Sequence, residues 1–217
     1  TEFQDLGRTA LDPTVQIGRY PCHLHHCSGP IGGRPDGYQW RIENCSIWNT
    51  RPEVDGTVWG LTIHDSHWGL ARGNVVFNYS GAGIVTEIGS ERGNVIEGNL
   101  VCRCFGFATS RDGGGRSGAG MWLAGYDNVI RNNVVCGCCS HLPGSFACDF
   151  WANAWNGIPG ARHLVPSGPG SDAHDPAQCD LVHPGQTPLR EFSNNTIYAC
   201  HSPLTMWSHQ ANSEGPW

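Results

Sequence analysis

Lysine is absent from this 217-residue sequence, so all thirteen of its basic residues are arginine. Charged residues make up only 15% of the chain, the formal net charge is −6, and no basic run occurs. Because nucleic acids and anionic membrane surfaces attract clustered positive charge, neither is expected as a partner. A run of about 20 apolar residues is also missing, so no membrane insertion is expected within this segment.

An initiator methionine and a signal peptide are missing as well, since the sequence starts at Thr1. We therefore expect part of a longer chain, with its targeting segment elsewhere. Cysteine, in contrast, is abundant at eleven residues, with a single C-x-x-C pair at 136–139. Without a second pair to form a zinc ribbon, this content indicates disulfides in an oxidising compartment. Glycosylation sequons at Asn44, Asn78 and Asn194 agree with a secreted or cell-surface glycoprotein.

A short pattern recurs along the chain, in which an asparagine precedes a short strand of β-branched or apolar residues. The copies begin at Asn44, Asn74, Asn99, Asn133 and Asn195. Most copies are separated by roughly one coil of a solenoid, and the last interval of 62 residues predicts two or more coils. Repeated short strands of this kind predict a solenoid.

Stacking the copies predicts columns of buried side chains that no single coil could bury alone. One such column contains Val76, Val101, Val135 and Ile197. The repeated asparagines are expected to form a hydrogen-bonded ladder along the stack. The sequence therefore predicts an all-β, right-handed parallel β-helix as a single domain over residues 1–217. A β-sandwich is the alternative, but the Asp-Gly pairs that would form its hairpins fall in loops.

Two further features concern the loops and the cysteines. Residues 143–188, rich in glycine, proline and histidine, break the period and predict a long irregular insertion on one face. Cysteines 148 and 179 are candidates for tying this insertion. Stacking also brings cysteines into common columns, so disulfides between coils are geometrically reasonable. The cysteines concerned are Cys102 with Cys136, and Cys104 with Cys138 and Cys200.

The stretch RYPCHLHHC contains the densest group of candidate metal ligands. Alternation along a strand places His23 and His25 on the same face. His64 ends the strand LTIH, and Glu87 ends the strand IVTE 23 residues later, so the two side chains should stack about 4.8 Å apart. We predict that His23, His25, His64 and Glu87 converge and bind a divalent metal. Imidazole and carboxylate ligands suit zinc or another transition metal better than calcium.

Other interpretations of these residues stay open. An isolated strand histidine is more often a hydrogen-bonded structural residue than a ligand, and His26 is expected to face away from the cluster. Cys22 and Cys27 are interpreted as disulfide partners rather than ligands. Glu87 and Glu91 are alternatively the acid and base of a glycoside hydrolase, which need carboxyl groups about 5 to 9.5 Å apart.

The nine tryptophans are a high number for a chain of this size. Exposed indole faces are the usual platforms for sugar rings, which suggests a polysaccharide or glycan as the partner. The candidate platforms are Trp48, Trp59, Trp68, Trp122, Trp151 and Trp155.

Several stretches carry a family resemblance. They are GRYPCHLH from Gly18, GLTIH from Gly60, NVVFN from Asn74 and TEIGSE from Thr86, followed by the looser MWL from Met121, NVIRNN from Asn128 and PLREFSNN from Pro188. Together they resemble the β-helix region of the cell-migration-inducing hyaluronan-binding protein family, shared with the transmembrane hyaluronidase-like protein and the fibrocystins. The resemblance covers about residues 18–201. It implies a right-handed parallel β-helix, an extracellular setting and, in some members, hyaluronan binding or depolymerisation.

By this resemblance, the family's recurring polar positions match His23, His25, His64, Glu87 and Glu91. Two functions follow as hypotheses. The first is an extracellular module that binds or acts on a polysaccharide, metal-dependent and hyaluronidase-like, as a hydrolase or lyase. The second is a non-catalytic structural module of a cell-surface or filament-forming glycoprotein, which associates with itself or with neighbouring domains of a longer chain.

Overall fold

The computed structural model of the protein consists of short strands and one turn of 3₁₀ helix. The residues that it describes are 1–6, 20–49, 59–105, 118–123, 127–138, 148–153, 163–182, 189–200 and 202–207. Within these ranges, no helix has the length and apolarity needed to cross a membrane.

Three parallel sheets run along the molecule, and the chain visits sheet B, sheet C and sheet A in turn in each coil. Sheet A contains β1 (Glu2–Gln4), β4 (Ser46–Trp48), β7 (Val75–Tyr79), β10 (Leu100–Cys104), β13 (Val134–Cys136) and β18 (Thr196–Tyr198). Sheet B contains β2 (Cys22–His25), β5 (Leu61–His64), β8 (Ile84–Thr86), β11 (Met121–Leu123), β14 (Cys148–Asn153) and β19 (Ser202–Trp207). Sheet C contains β3 (Arg41–Glu43), β6 (Leu70–Arg72), β9 (Val95–Glu97), β12 (Val129–Arg131) and β17 (Glu191–Ser193). This arrangement confirms the predicted parallel β-helix.

The interior of the coil is apolar because each strand turns alternate residues inward. In sheet A, Val76 stands opposite Val101, which stands opposite Val135, and the column continues to Ile197. The three valines are completely buried. The predicted column is therefore confirmed, and residues from all three sheets complete a single core.

Two residues join sheet C to sheet A in each coil, and the first of them is a corner residue with a left-handed backbone. The corner residues have positive φ angles between 51° and 65° and are Asn44, Gly73, Gly98, Asn132 and Asn194. Glycine and asparagine tolerate this left-handed region better than other residues. The placement of Asn44 at the start of a repeat is wrong by one residue, because its coil places Cys45 at the ladder position opposite Asn74.

The predicted asparagine ladder follows these corners. The Asn99 side-chain oxygen accepts the Asn74 backbone N–H at 2.9 Å and the Asn74 side-chain amide at 3.0 Å. The Asn99 side-chain amide donates in turn to the Ala71 carbonyl and to the Asn133 side-chain oxygen, each at 3.0 Å. Asn133 continues the ladder to Asn195 at 3.0 Å. Satisfied buried amides thus connect consecutive coils.

A second, shorter ladder at the corner between sheets B and C was not predicted. The Asn94 side-chain oxygen accepts the Gly69 backbone N–H at 2.9 Å, and the Asn94 N–H donates to the Asn128 side-chain oxygen at 2.9 Å. Both asparagines are completely buried. Only two asparagines form this ladder in the part of the chain that the structure describes, so it does not give a repeat that could be recognised in the sequence.

The stretch 143–188, predicted to be irregular, is partly regular. β14 continues sheet B in parallel register with β11, and β15 (His163–Pro166) pairs antiparallel with β16 (Cys179–Val182). The 3₁₀ turn, Pro176–Gln178, lies between the hairpin strands. Because β13 pairs directly with β18, the 62-residue interval holds one coil and this hairpin, not two coils.

The cysteines confirm the predicted columns, and the structure forms no disulfide among the cysteines whose side chains it describes. Cys102 stands opposite Cys136 in sheet A, with the two Sγ atoms 2.7 Å apart. The Cys138 backbone N–H donates to the Cys200 Sγ at 3.4 Å. Disulfides between coils stay a prediction, and the side chains of residues 139 and 148 lie outside the described part of the chain.

Candidate functional site

The histidines lie on the outer face of sheet B, toward one end of the stack. The parallel register of β2 and β5 places His25 opposite His64 and His23 opposite Thr62. Leu61 and Ile63 alternate with these residues and are completely buried in the core. The local alternation therefore directs the imidazoles outward, as predicted.

Glu87 reaches the same face from the next coil. Its backbone N–H donates to the Ile63 carbonyl at 3.0 Å, which continues the ladder between β5 and β8 by one residue. This register brings a Glu87 carboxylate oxygen within 2.7 Å of the His64 Nδ1. Both side chains are half-buried, at 23% and 17% exposure. The predicted stacking of His64 and Glu87 is thus observed.

The four predicted metal-ligating residues lie together. His23, His64 and Glu87 each offer a ligand atom within 4.8 Å of the others. The His25 ring centroid lies 5.1 Å from that of His23 and 4.7 Å from that of His64. Such a group can hold a divalent transition metal, and metal binding stays a prediction.

The imidazoles differ in their electrostatic environment. The hydrogen bond with Glu87 raises the pKa of His64 above its ordinary value. Desolvation lowers the pKa of His25, and repulsion from His26 and His64 lowers it further. A lowered pKa favours the neutral imidazole, which is the form that binds metals.

His26 belongs to this cluster, which corrects the expectation that it faces away. Its φ of 55° ends the regular alternation of β2 and turns the side chain back toward the other rings. The His26 ring centroid lies 4.2 Å from that of His25 and 5.3 Å from that of His64. The alternation rule failed here because it holds only while the backbone is extended.

Asp65 is a functional candidate that sequence reasoning missed. It follows His64 with a φ of 44°, and one of its carboxylate oxygens lies 2.9 Å from the His26 Nδ1. Its other oxygen accepts the Ser90 hydroxyl at 2.7 Å and lies 3.3 Å from the His67 Nε2. The hydrogen bond from His67 holds the pKa of Asp65 well below its ordinary value, against desolvation. Asp65 is therefore a carboxylate that orients the side chains of His26, His67 and Ser90.

Glu91, predicted as a catalytic acid or base, lies in the interior of a turn. It is completely buried, and its carboxylate accepts backbone N–H groups from Asp65, Glu87, Ile88 and Gly89 at 2.8 to 3.2 Å. Burial raises the pKa of this carboxyl group, while the backbone donors oppose the shift. This geometry favours a positioning role for Glu91, because its oxygens are shielded and occupied.

An aromatic group borders the cluster. The Tyr20 ring stacks on Trp59 with centroids 4.8 Å apart, and Trp59 contacts Trp122 at 5.4 Å. Tyr20 also packs edge-to-face against His23 at 5.1 Å. Because Trp59 and Trp122 are only 5% and 1% exposed, Tyr20 is the ring of this group that can meet a ligand.

The other tryptophans that were predicted to bind sugar rings do not border the histidine cluster. Trp68 is buried, and the guanidinium groups of Arg92 and Arg190 lie 5.6 Å and 5.3 Å from its ring centroid. Trp48 is half-buried in sheet A, and its Nε1 donates to Glu2 at 2.8 Å. The side chains of residues 151 and 155 are outside the described part of the chain.

Comparisons with known proteins agree with this architecture. A family model described as CEMIP beta-helix matches residues 1–204. Fibrocystin-L of Homo sapiens is 26% identical over 184 residues, which cover 85% of this chain and 4% of that protein. Fibrocystin-L of Mus musculus is 25% identical over 186 residues, covering 86% of this chain and 4% of that protein. The chain thus spans only a small share of these curated relatives, and no solved structure matches it significantly.

Proposed function

Because the chain belongs to the CEMIP beta-helix family, we propose that it is an extracellular module whose sheet B exterior binds a divalent metal ion and a polysaccharide. The proposed ligand class is an acidic polysaccharide of the hyaluronan type, as the family resemblance implies. The proposed activity is metal-dependent binding or cleavage at the cluster of His23, His25, His64 and Glu87.

One observation carries this proposal. Imidazoles from two neighbouring coils and a carboxylate from a third meet on one accessible face, with ligand atoms within 4.8 Å. Such a convergence offers more ligand atoms than a structural hydrogen bond needs, and it suits a borderline divalent cation such as zinc. A partly exposed Tyr20 ring at its border adds an apolar surface for a sugar ring.

The electrostatics support a metal in this role. The chain carries a formal net charge of −6, which repels a polyanion. A bound divalent cation offsets this repulsion locally and can polarise a sugar carboxylate or hydroxyl, or activate water.

Glycoside cleavage by the Glu87 and Glu91 pair has less support. Inverting and retaining glycosidases both need two carboxyl groups that face the sugar. Glu91 is completely buried with its oxygens bonded to backbone amides. Of these two glutamates, we therefore propose only Glu87 as a group that contacts a substrate or a metal.

A zinc titration of the purified protein tests the metal. We expect one ion per chain, lost in His64→Ala and retained in His174→Ala, a control at an exposed histidine on the hairpin connection. Hyaluronan, chondroitin sulfate and a neutral glucan are then compared, with zinc and with chelator, by binding and by chain-length analysis. Zinc-dependent binding or shortening of the acidic polymers supports the proposal. A wild-type protein that takes up neither zinc nor any of these polymers contradicts it.

A non-catalytic structural module is the second candidate. Sheet A presents exposed apolar side chains, with Val75 at 41% and Leu100 at 37% exposure in neighbouring coils and Tyr198 at 55% two coils further on. Such a face suits contact with another copy or with a neighbouring domain. Sedimentation of the protein and of Leu100→Asp tests this role. Concentration-dependent association that the substitution abolishes supports it, and a monomer at all concentrations argues against self-association.

A further inference from the structure

Two histidines of the cluster are each held by a carboxylate at Nδ1. The His64 Nδ1 lies 2.7 Å from Glu87, and the His26 Nδ1 lies 2.9 Å from Asp65. A carboxylate at this nitrogen stabilises the tautomer that carries the proton there. The lone pair of each imidazole is then on Nε2, available to a cation.

These rings form a group with His25. His25, His26 and His64 each offer a ligand atom within 4.8 Å of the others. His25 and His26 are exposed and His64 is half-buried, so an ion can enter from solvent. Carboxylates that hold the far nitrogen of a ligating histidine are the usual outer partners of metal sites, since they set ring orientation and raise basicity.

The alternative set of His23, His64 and Glu87 requires the loss of a hydrogen bond. Two ligands of one tetrahedral zinc ion, each at about 2.0 Å, lie about 3.3 Å apart. The 2.7 Å hydrogen bond between His64 and Glu87 is shorter than that and would have to break. Coordination of the three histidines with His26 and His64 bound through Nε2 would keep this bond and the His26–Asp65 contact, because both carboxylates lie at Nδ1.

We propose that the cation of the sheet B exterior is bound by His25, His26 and His64, with Glu87 and Asp65 orienting two of the rings. This inference rests on the proposed function for the existence of a bound metal, and it reassigns the ligands. The ion is of the zinc type, with three imidazoles and an open position for water or a sugar oxygen.

Glu91 connects the two orienting carboxylates. Its buried carboxylate accepts the backbone N–H of Asp65 at 3.1 Å and that of Glu87 at 3.2 Å. One carboxylate thereby holds the backbone of both residues that orient the histidines. This gives Glu91 a positioning role in the metal site.

Zinc affinity of single variants tests the ligand set, with cobalt absorption as a second readout of imidazole coordination. His26→Asn keeps a residue that tolerates the positive φ of this position. We expect it to weaken zinc binding about 100-fold or more, and to change the cobalt spectrum. His23→Gln, at a cluster histidine outside the three-histidine set, should cost much less zinc affinity than His26→Asn. The control His174→Ala, on the hairpin connection, should stay within about threefold of wild type. Asp65→Asn and Glu87→Gln, which remove an orienting carboxylate, should each cost about tenfold.

The outcomes separate this inference from the proposed function. Zinc binding that survives His26→Asn but is lost in His23→Gln and Glu87→Gln overturns the three-histidine set and leaves a metal-binding module. A wild-type protein that binds no zinc overturns both. Thermal unfolding without metal serves as the check on folding, and variants with an unchanged midpoint are the ones compared.

Discussion

The outer faces of sheet C and sheet B belong to the same β-helix but carry different polar side chains. Sheet C carries a column of ion pairs, and sheet B carries a cluster of histidines. On sheet C, Glu43, Arg72, Glu97 and Arg131 form one column of alternating sign. Arg72 pairs with Glu43 at 2.6 Å and with Glu97 at 3.5 Å, and Arg131 pairs with Glu97 at 2.7 Å. On sheet B, the corresponding face groups imidazoles from neighbouring coils at one end.

This difference indicates that the polar residues of sheet C serve stability, whereas those of sheet B are candidates for binding. On sheet C, each charge in the column is neutralised by the next coil, and little is left for a ligand. On sheet B, imidazoles stand opposite one another in two neighbouring coils, and the carboxylates beside them hold only the Nδ1 atoms of His26 and His64. The other nitrogen atoms of these two rings are available to an ion. In a solenoid, a feature repeated in each coil contributes to stability, whereas a feature confined to a few coils is a candidate for binding. Substitutions in the two classes should therefore affect different measurements.

The largest effect is expected from the asparagine ladder. Asn99→Ala removes two accepted and two donated hydrogen bonds at a buried site and leaves their partners unsatisfied. Because each such loss costs about 1 to 3 kcal/mol and the losses overlap, we expect about 4 kcal/mol less unfolding free energy. Urea unfolding followed by circular dichroism measures it.

The control for the ladder is a neighbouring asparagine with another role. Asn132→Gly, at a corner with a φ of 56°, should change the unfolding free energy by less than about 1 kcal/mol, since glycine accepts this conformation. Equal effects of the two substitutions would contradict the special role of the ladder.

The cysteine pair of sheet A should come next. A disulfide between Cys102 and Cys136 closes a loop of 34 residues, which stabilises by about 3 to 4 kcal/mol in the chain-entropy model. Oxidised wild type should exceed Cys102→Ser by about that amount, and the difference should vanish in reductant. If thiol titration of the protein from an oxidising medium finds both thiols free, this prediction fails.

The effect of zinc on stability should distinguish the outer face of sheet B from that of sheet C. Zinc at 100 times its dissociation constant should raise the unfolding free energy of wild type by about 2.7 kcal/mol. His64→Ala should lose this increment, and Arg72→Ala on sheet C should keep it. Thermal unfolding with and without zinc measures both, and an equal loss in the two variants would remove the distinction between the faces.

The smallest effect is expected on sheet C. Arg72→Met removes a guanidinium that is 48% exposed and joins two glutamates. Exposed ion pairs contribute about 0 to 1 kcal/mol, so we expect a loss below about 1 kcal/mol that shrinks in high salt. Thermal unfolding in low and high salt measures it. A salt-independent loss well above this range would mean that the column carries more of the fold than its exposure indicates.

Much of the fold followed from the period of the sequence. The valine column, the main asparagine ladder and the closeness of His64 to Glu87 all depend on which residues occur one coil apart. The 62-residue interval was harder to interpret, because a hairpin adds residues without adding a coil. Length alone does not distinguish an extra coil from an insertion.

The candidate site was predicted only in part. His26 and Asp65 lie just beyond strand ends, where positive φ angles replace the extended backbone on which alternation depends. Glu91 looked equivalent to Glu87 in the sequence, yet a turn encloses it and supplies three backbone donors, and the neighbouring coil supplies a fourth from Asp65. The spacing of residues along the sequence reveals neither the backbone conformation at a corner nor the burial of a carboxylate.

The sequence by itself thus determined which residues stack, because a solenoid repeats at a nearly constant chain length and strands alternate with a period of two. Only the tertiary structure decided which of the polar residues meet solvent, which are occupied by backbone amides, and which nitrogen of each histidine a carboxylate holds. These properties depend on φ at single corner residues and on contacts between coils, and both are set when neighbouring coils pack.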